Sequence, residues 1–296
     1  MKPPSVTREL VDQLRTYGRL MRLDRPVGIS LLLWPTLWGL WIAADGHPDP
    51  WVFTVFVAGV VLMRSAGCVI NDYADRDVDG RVTRTRDRPL ATGKATPAEA
   101  LVLFAALSMM ALGLVLTLDR LTQMLALAAA ALTVVYPFCK RYMAAPQVVL
   151  GAAFGMGIPM AFAAQTGSVP RLAWLLWLAV VIWAVAYDTL YAMADREDDL
   201  RIGVQSTAIL FGQADVFVVA LLQVLFLLAL LLAGSVAELG LWYRLGLAAG
   251  ALLLLFQYAL YRQRQPAACL RAFANNHYVG GAVFVGIVLS YTFNPA

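Results

Sequence analysis

Along this chain, apolar positions come in runs of about 20 residues, long enough for a helix to cross a bilayer core. The runs are separated by turns and charged loops rather than by alternating polar positions. Their pattern predicts nine helices, over residues 27–44, 51–70, 97–117, 121–137, 146–166, 171–190, 214–236, 239–261 and 275–293. Ahead of the first, VTRELVDQLRTYGRLMRL (6–23) mixes apolar and basic residues, as a helix lying along a membrane interface does. The expected fold class is all-α: a polytopic membrane helical bundle forming a single domain over 1–296, with an interfacial segment over 1–26.

Composition strengthens this reading. The chain is 60% hydrophobic and only 14% charged, with a mean hydropathy of +0.69. A soluble domain is nearer half apolar and a quarter charged, and no segment reads as a separate soluble domain. The three cysteines are scattered in or near apolar runs, which gives neither a disulfide framework nor a CxxC metal pair. The two histidines, His47 and His277, are far apart in sequence.

The basic residues fix an orientation. With the N-terminus inside, nineteen of the 23 Lys/Arg fall on inside segments and three on outside loops, Arg120, Arg171 and Arg244; Arg64 lies within a span. The positive-inside rule then places the N-terminus in the cytoplasm, and an odd number of spans places the C-terminus on the far side. No cleavable signal peptide is visible, and chain length without an acid-poor leader suggests a bacterial plasma (inner) membrane.

Two acidic stretches stand out, NDYADRDVDG (71–80) and MADREDD (193–199). They close the second and sixth spans, so they emerge on the same, cytoplasmic side. ADRDVD (74–79) and ADREDD (194–199) match in register, Asp75 with Asp195 and Asp79 with Asp199. This internal repeat points to two pseudo-repeated halves around a central site. On a helix, Asn71, Asp75 and Asp79 fall within about 80° of one another, with Asp72 close to Asp79. Asp188, Asp195 and Asp199 fall within about 40°, provided the helix runs that far. Asp188 is deepest, inside the apolar run, and an ionisable group at depth marks function. Asp77, Asp87, Glu197 and Asp198 fall off these faces and read as solvated loop residues.

Carboxylates about 6 Å apart repel by roughly 3 kcal/mol at an effective dielectric of about 20. Several facing one cavity need a counter-charge. Mg²⁺ suits them, because it is usually held by one or two carboxylates together with substrate phosphates. The pattern therefore suggests a metal-bridged diphosphate. A solvated cytoplasmic loop would explain one such stretch; two in register on one side argue against it.

The motif N71-D-x-x-D-x-x-x-D79 resembles the first signature of the UbiA superfamily of intramembrane aromatic prenyltransferases, and D195-x-x-x-D199 its second. YDTLYAMADREDD (187–199) is similar to the branch that prenylates 4-hydroxybenzoate. Y136-x-x-x-K140, DRPLATGK (87–94) and LDRPVG (23–28) are similar to further family elements. The resemblance covers nearly the whole chain. It implies nine spans, Mg²⁺, a polyprenyl diphosphate donor, a 4-hydroxybenzoate acceptor, and a membrane-bound product on the way to ubiquinone. It implies no nucleic acid and no protein partner.

On that basis Asn71, Asp72, Asp75, Asp79, Asp195 and Asp199 are expected to hold metal or diphosphate, Asp72 as the weaker member. Lys140 is the expected phosphate cation, with Tyr136 in the same element, then Arg22 and Arg76; Arg88 and Lys94 read equally well as a solvated basic loop. Positioned cations stabilise charge that develops on a leaving group. For the acceptor carboxylate Arg141 is expected first, since Arg binds carboxylates bidentately. Arg64 is its rival, about 10 Å deeper than Asn71 on the same helix face, although neutralising an inward acid such as Asp188 is its first expected role. Asp188 is expected to orient or deprotonate the phenol. The tryptophans in the spans read as packing or interface anchors. A naphthoate, homogentisate or haem acceptor, or a cation-coupled transporter, are the rival readings; a transporter would place its acids mid-span.

Overall fold

The computed structural model describes residues 6–80, 85–139 and 142–293, and every regular element among them is helical. In chain order these are α1 (Val6–Leu20), α2 (Val27–Ala43), α3 (Pro50–Ala74), the single turn α4 (Arg76–Asp79), α5 (Pro97–Val115), α6 (Arg120–Cys139), α7 (Pro146–Gly155), α8 (Gly157–Thr166), α9 (Arg171–Ile202), α10 (Thr207–Phe211), α11 (Asp215–Val236), α12 (Leu241–Tyr261) and α13 (Pro266–Phe293). Among the described residues eight helical stretches are long and apolar enough to cross a membrane, with α7–α8 and α10–α11 each forming one; α2 is a shorter apolar helix. Together they correspond to the nine expected spans.

Local chemistry sets the ends. Asp49 caps α3 by accepting from the amides of Trp51 and Val52 at 2.8 and 2.9 Å, with Pro50 in the first turn. Thr96 and Glu99 form a reciprocal capping box on α5. One crossing is split in two because Pro159 clashes with the carbonyl four residues back, and α7 ends at that residue, Gly155. The 32-residue α9 runs unbroken through Asp195 and Asp199 and stops at Gly203, whose φ of +74° closes it in the left-handed region.

The largest core cluster packs α2 against the helices of the C-terminal half. Trp38 and Trp183 stack with centroids 5.5 Å apart, and Trp183 stacks on Phe226 at 5.2 Å. A buried polar chain ties the helices together: Trp183 Nε1 donates to Asn276 Oδ1 at 2.8 Å, Gln223 to Gln257 at 3.0 Å, and Tyr261 to Gln223 at 3.1 Å. Such bonds serve as adhesive where the surroundings are apolar. Helices α12 and α13 meet at Gly246 and Gly286, where an added Cβ on Gly246 would lie 2.9 Å from Gly286 Cα. By contrast α5 buries only Ala100, Leu107 and Ala111, and α6 only Thr122, Pro137 and Cys139. Met109, Met110 and Leu127 on these two helices are more than half exposed, an apolar surface that a bilayer would cover.

Leu10 and Leu14 are each 60% exposed, while Leu20 is buried. Gln13 and Tyr17 bond to Glu99 at 2.6 and 3.0 Å, which fastens α1 to the start of α5.

Candidate active site

Two helices form facing walls. On α3 the residues Val60, Arg64, Gly67, Asn71 and Asp75, spaced three or four apart, make one stripe; on α9 Asp188, Tyr191, Asp195 and Asp199 make another. Both stripes line a single cavity of about 1110 Å³. Asn71, Asp72, Asp75, Asp79, Asp195 and Asp199 all face it, as do Tyr136 and Asp188. The two acidic stretches therefore meet across one space. Away from them its walls turn apolar, through Phe56, Leu112, Val115, Leu118 and Met160. From Phe56 to Asn71 along α3 is about 22 Å, so the cavity runs most of the way through the bundle.

The acidic end is organised by two arginines. Asp72 Oδ1 accepts from Arg22 at 2.7 Å and pairs with Arg88 at 3.1 Å. Arg88 also donates to both oxygens of Asp79, at 2.9 and 2.7 Å. Asp72 is fully buried, and its Oδ2 has no hydrogen-bond partner. Arg22 reaches the site from a left-handed backbone, φ +57°, an uncommon conformation for a residue with a side chain. Burial works against its charge, but Asp72 and its other neighbours outweigh that, so its guanidinium pKa is raised. Burial pushes the Asp79 carboxyl up from its ordinary value; Arg88 pulls it down, and nearby Asp72 and Asp75 push it up again. Burial is the largest of these influences, and it keeps the Asp79 carboxyl above its ordinary value even with Arg88 in place. The helix breaks within the first motif: Asp75 caps α3, and Asp79 comes from the turn α4. Asn71 donates to Asp75 at 3.2 Å.

Deeper in, Arg64 lies beneath the first turn of α2. Its guanidinium fills the place a Cβ on Gly28 would take, with Cζ 2.8 Å from that position. It contacts the Cys68 sulfur and lies 6.0 Å from the centroid of Phe154. Its Nε is buried without a partner, and it forms no ion pair among the described residues. The expected pairing of Arg64 with Asp188 is therefore not what the fold builds: the guanidinium is drawn toward Gly28 and Cys68 instead.

Several other expectations are revised. Arg76 does not line the cavity; it stacks 4.6 Å over the Tyr73 ring, donates to the Tyr73 carbonyl at 2.8 Å and pairs with Asp77. Asp72 is a clamp for two arginines before it is a ligand. Arg88, equally readable as a solvated loop residue, is only 12% exposed and joins Asp72 to Asp79. The sequence offered DRPLATGK as a signal but not that contact. No tryptophan lines the cavity, in keeping with packing roles. Lys140 and Arg141 lie outside the described residues.

The donor set suits a hard cation, being carboxylate and amide oxygen throughout. Among the described residues no three acidic, histidine or cysteine side chains converge on one point. The described residues thus form no all-protein cage, and an ion there needs oxygens from elsewhere, which is how Mg²⁺ is usually held when a substrate diphosphate completes its shell.

Residues 32–288 match the model of the UbiA prenyltransferase family. The chain belongs to that family. Curated relatives include a 4-hydroxybenzoate octaprenyltransferase of Ectopseudomonas mendocina (strain ymp), 60% identical over 93% of this chain and 93% of the relative. Another, of the same description, from Nitrosococcus oceani, is 61% identical over 94% of this chain and 98% of the relative. Among solved structures, a UbiA homolog from Aeropyrum pernix K1 superposes with a TM-score of 0.78 at 24% identity, over 89% of this chain and 97% of that one. A UbiA homolog from Archaeoglobus fulgidus bound to GPP and Mg²⁺ gives 0.74 at 17% identity, over 93% and 99%. At those identities the two structures establish that this chain has the UbiA fold.

Proposed function

We propose that this protein transfers a polyprenyl group from polyprenyl diphosphate to the ring carbon ortho to the hydroxyl of 4-hydroxybenzoate. The observation that carries the reading is the meeting of both acidic motifs on one cavity whose far walls are apolar. A diphosphate fits the first part and a prenyl tail the second. Relatives near 60% identity described as 4-hydroxybenzoate octaprenyltransferases support the acceptor.

Asn71, Asp75, Asp79, Asp195 and Asp199 would hold Mg²⁺, with Asp72 steadying Arg22 and Arg88 beside them. Mg²⁺, when bound, supplies positive charge to the departing diphosphate. Arg22, already in the cavity, and Lys140 grip phosphate oxygens, and Tyr136 lines the approach. The allylic C–O bond breaks with its electron pair leaving on the diphosphate. The acceptor ring carbon then bonds to the allylic carbon, and the ring proton departs. Asp188, on the α9 wall, orients the phenol or takes that proton. Arg64 is assigned the acceptor carboxylate, since its half-buried side chain lines the cavity with a buried, unpartnered Nε and no carboxylate of the described residues paired to it. Arg141 keeps the same assignment as the alternative cation. The apolar walls exclude water from the carbocation.

The acidic end opens where the Lys/Arg-rich segments cluster, which supports a cytoplasmic N-terminus and active site in a bacterial inner membrane. The test is turnover of radiolabelled 4-hydroxybenzoate by membranes containing the protein, with a polyprenyl diphosphate, with and without EDTA. Labelled lipid that requires the metal is expected. No labelled lipid from correctly folded protein would reject the assignment.

A further inference from the structure

We propose that the hydroxyl of Tyr187 is a second anchor for the acceptor, donating a hydrogen bond to the carboxylate that Arg64 pairs with. It would thereby select benzoates over simple phenols. The inference rests on the aromatic-acceptor reading above and adds a specificity-determining residue to it.

Tyr187 is 1% exposed, yet it contributes to the cavity wall. Its hydroxyl is buried and has no hydrogen-bond partner. Buried polar groups almost always find partners, and one without needs an explanation. A mobile ring does not provide it. Tyr187 meets Trp183 edge-on at 5.4 Å and 90°, and Phe273 at 5.9 Å and 69°. Trp183 is itself fixed, by stacking on Trp38 and Phe226 and by its bond to Asn276. The phenol is thus held in one orientation by a rigid aromatic stack.

Arg64, Asp188 and Tyr136 lie within electrostatic reach of that hydroxyl. Of these, Arg64 is the cation, and its Nε also lacks a partner. One carboxylate between them would satisfy both groups. Depth agrees. Arg64 is seven residues above Asn71 on α3, and Tyr187 is eight above Asp195 on α9, about 10 and 12 Å along the two walls. A benzoate gripped there by its acid directs its phenol end back toward the diphosphate. A phenol lacking the acid group leaves both donors unpaired, and a site built for a hydrogen bond discriminates strongly against a ligand that lacks it.

The test is Tyr187→Phe in the purified full-length protein, because the variant keeps the ring and removes only the hydroxyl. The KM for 4-hydroxybenzoate should rise roughly ten- to hundredfold, the scale of a hydrogen bond to a charged group, while the KM for polyprenyl diphosphate stays unchanged. Inhibition by benzoate, which carries only the acid, should weaken by the same factor; inhibition by phenol, which carries only the hydroxyl, should not. The thermal midpoint should hold or rise, since an unsatisfied hydroxyl is lost. An unchanged acceptor KM, a loss confined to phenol, a shifted donor KM or a sharply lowered midpoint would each overturn the proposal. Failure of the wild-type protein to prenylate 4-hydroxybenzoate is a separate outcome, which would remove the acceptor assignment and this proposal with it.

Discussion

Gly28 and Arg64 share one space: the guanidinium of Arg64 occupies the position that a side chain on Gly28 would need. Gly28 closes the LDRPVG stretch in the first turn of α2, whereas Arg64 lies midway along α3. The glycine is required by close approach, and what it admits is a cation facing the cavity. A Gly28→Ala variant should fold, because the displaced group is the end of a flexible side chain. Its acceptor KM should rise about tenfold, the scale of about 1.4 kcal/mol of lost binding. The donor KM should not move. Steady-state kinetics with each substrate varied in turn would separate these, and a rise in donor KM alone would place Arg64 on the diphosphate instead.

Arg88 holds Asp72 and Asp79 together from the loop that follows the first motif. Removing one partner of a buried pair leaves an uncompensated charge, at about 3–5 kcal/mol. Arg88→Ala should therefore lower the thermal midpoint and reduce kcat/KM at least a hundredfold. Arg88→Lys should recover only part of the loss, because a compact ammonium lacks the planar fork that spans two carboxylates. Full recovery by lysine in thermal melts and turnover would reduce the role of Arg88 to charge alone.

The bundle and the helix faces of its two acidic motifs were legible in sequence because both rest on local periodicity; that the two motifs meet on one cavity comes from the fold. Runs of about 20 apolar residues set the spans, and spacings of three and four put Asn71 with Asp75 and Asp195 with Asp199 on single faces. Partner choice among the arginines was not legible. Arg76 sits inside the motif yet turns out to Tyr73, while Arg88, nine residues past Asp79, turns in. Those directions depend on how α3 ends at Asp75 and how the chain returns, which no spacing rule encodes. Tyr187 was hidden for a related reason: in a quoted run of aromatic and apolar residues, only three-dimensional packing separates a core phenol from one with an unused hydroxyl.

Metal binding should depend on the donor. With no three described carboxylates converging, the protein by itself should bind Mg²⁺ weakly, and inorganic pyrophosphate should tighten that binding by supplying oxygens. Calorimetric Mg²⁺ titrations with and without pyrophosphate measure the difference directly. Asp75→Ala and Asp195→Ala should each abolish the pyrophosphate-dependent gain, one from each wall. Equally tight Mg²⁺ binding in the absence of pyrophosphate would contradict a metal site completed by substrate.

Arg196 stands inside the second motif, one residue after Asp195, but its side chain leaves the cavity. It bonds Asp215 at 2.5 Å, and also the carbonyls of Ala208 at 2.5 Å and Gly212 at 3.1 Å. Arg264 grips the other oxygen of Asp215 at 2.9 Å, and Asp215 is fully buried. This three-residue clamp fixes the end of α9 to the start of α11, and so fixes the rotation of α9 that presents Asp195 and Asp199. Asp215→Ala would leave two arginines without their shared carboxylate, a loss of about 3–5 kcal/mol. Two effects are expected together: a lower thermal midpoint, and a higher Mg²⁺ concentration for half-maximal turnover, measured below the melting range. A lower midpoint with an unchanged Mg²⁺ requirement would mean that the clamp holds the helices together without aiming the carboxylates.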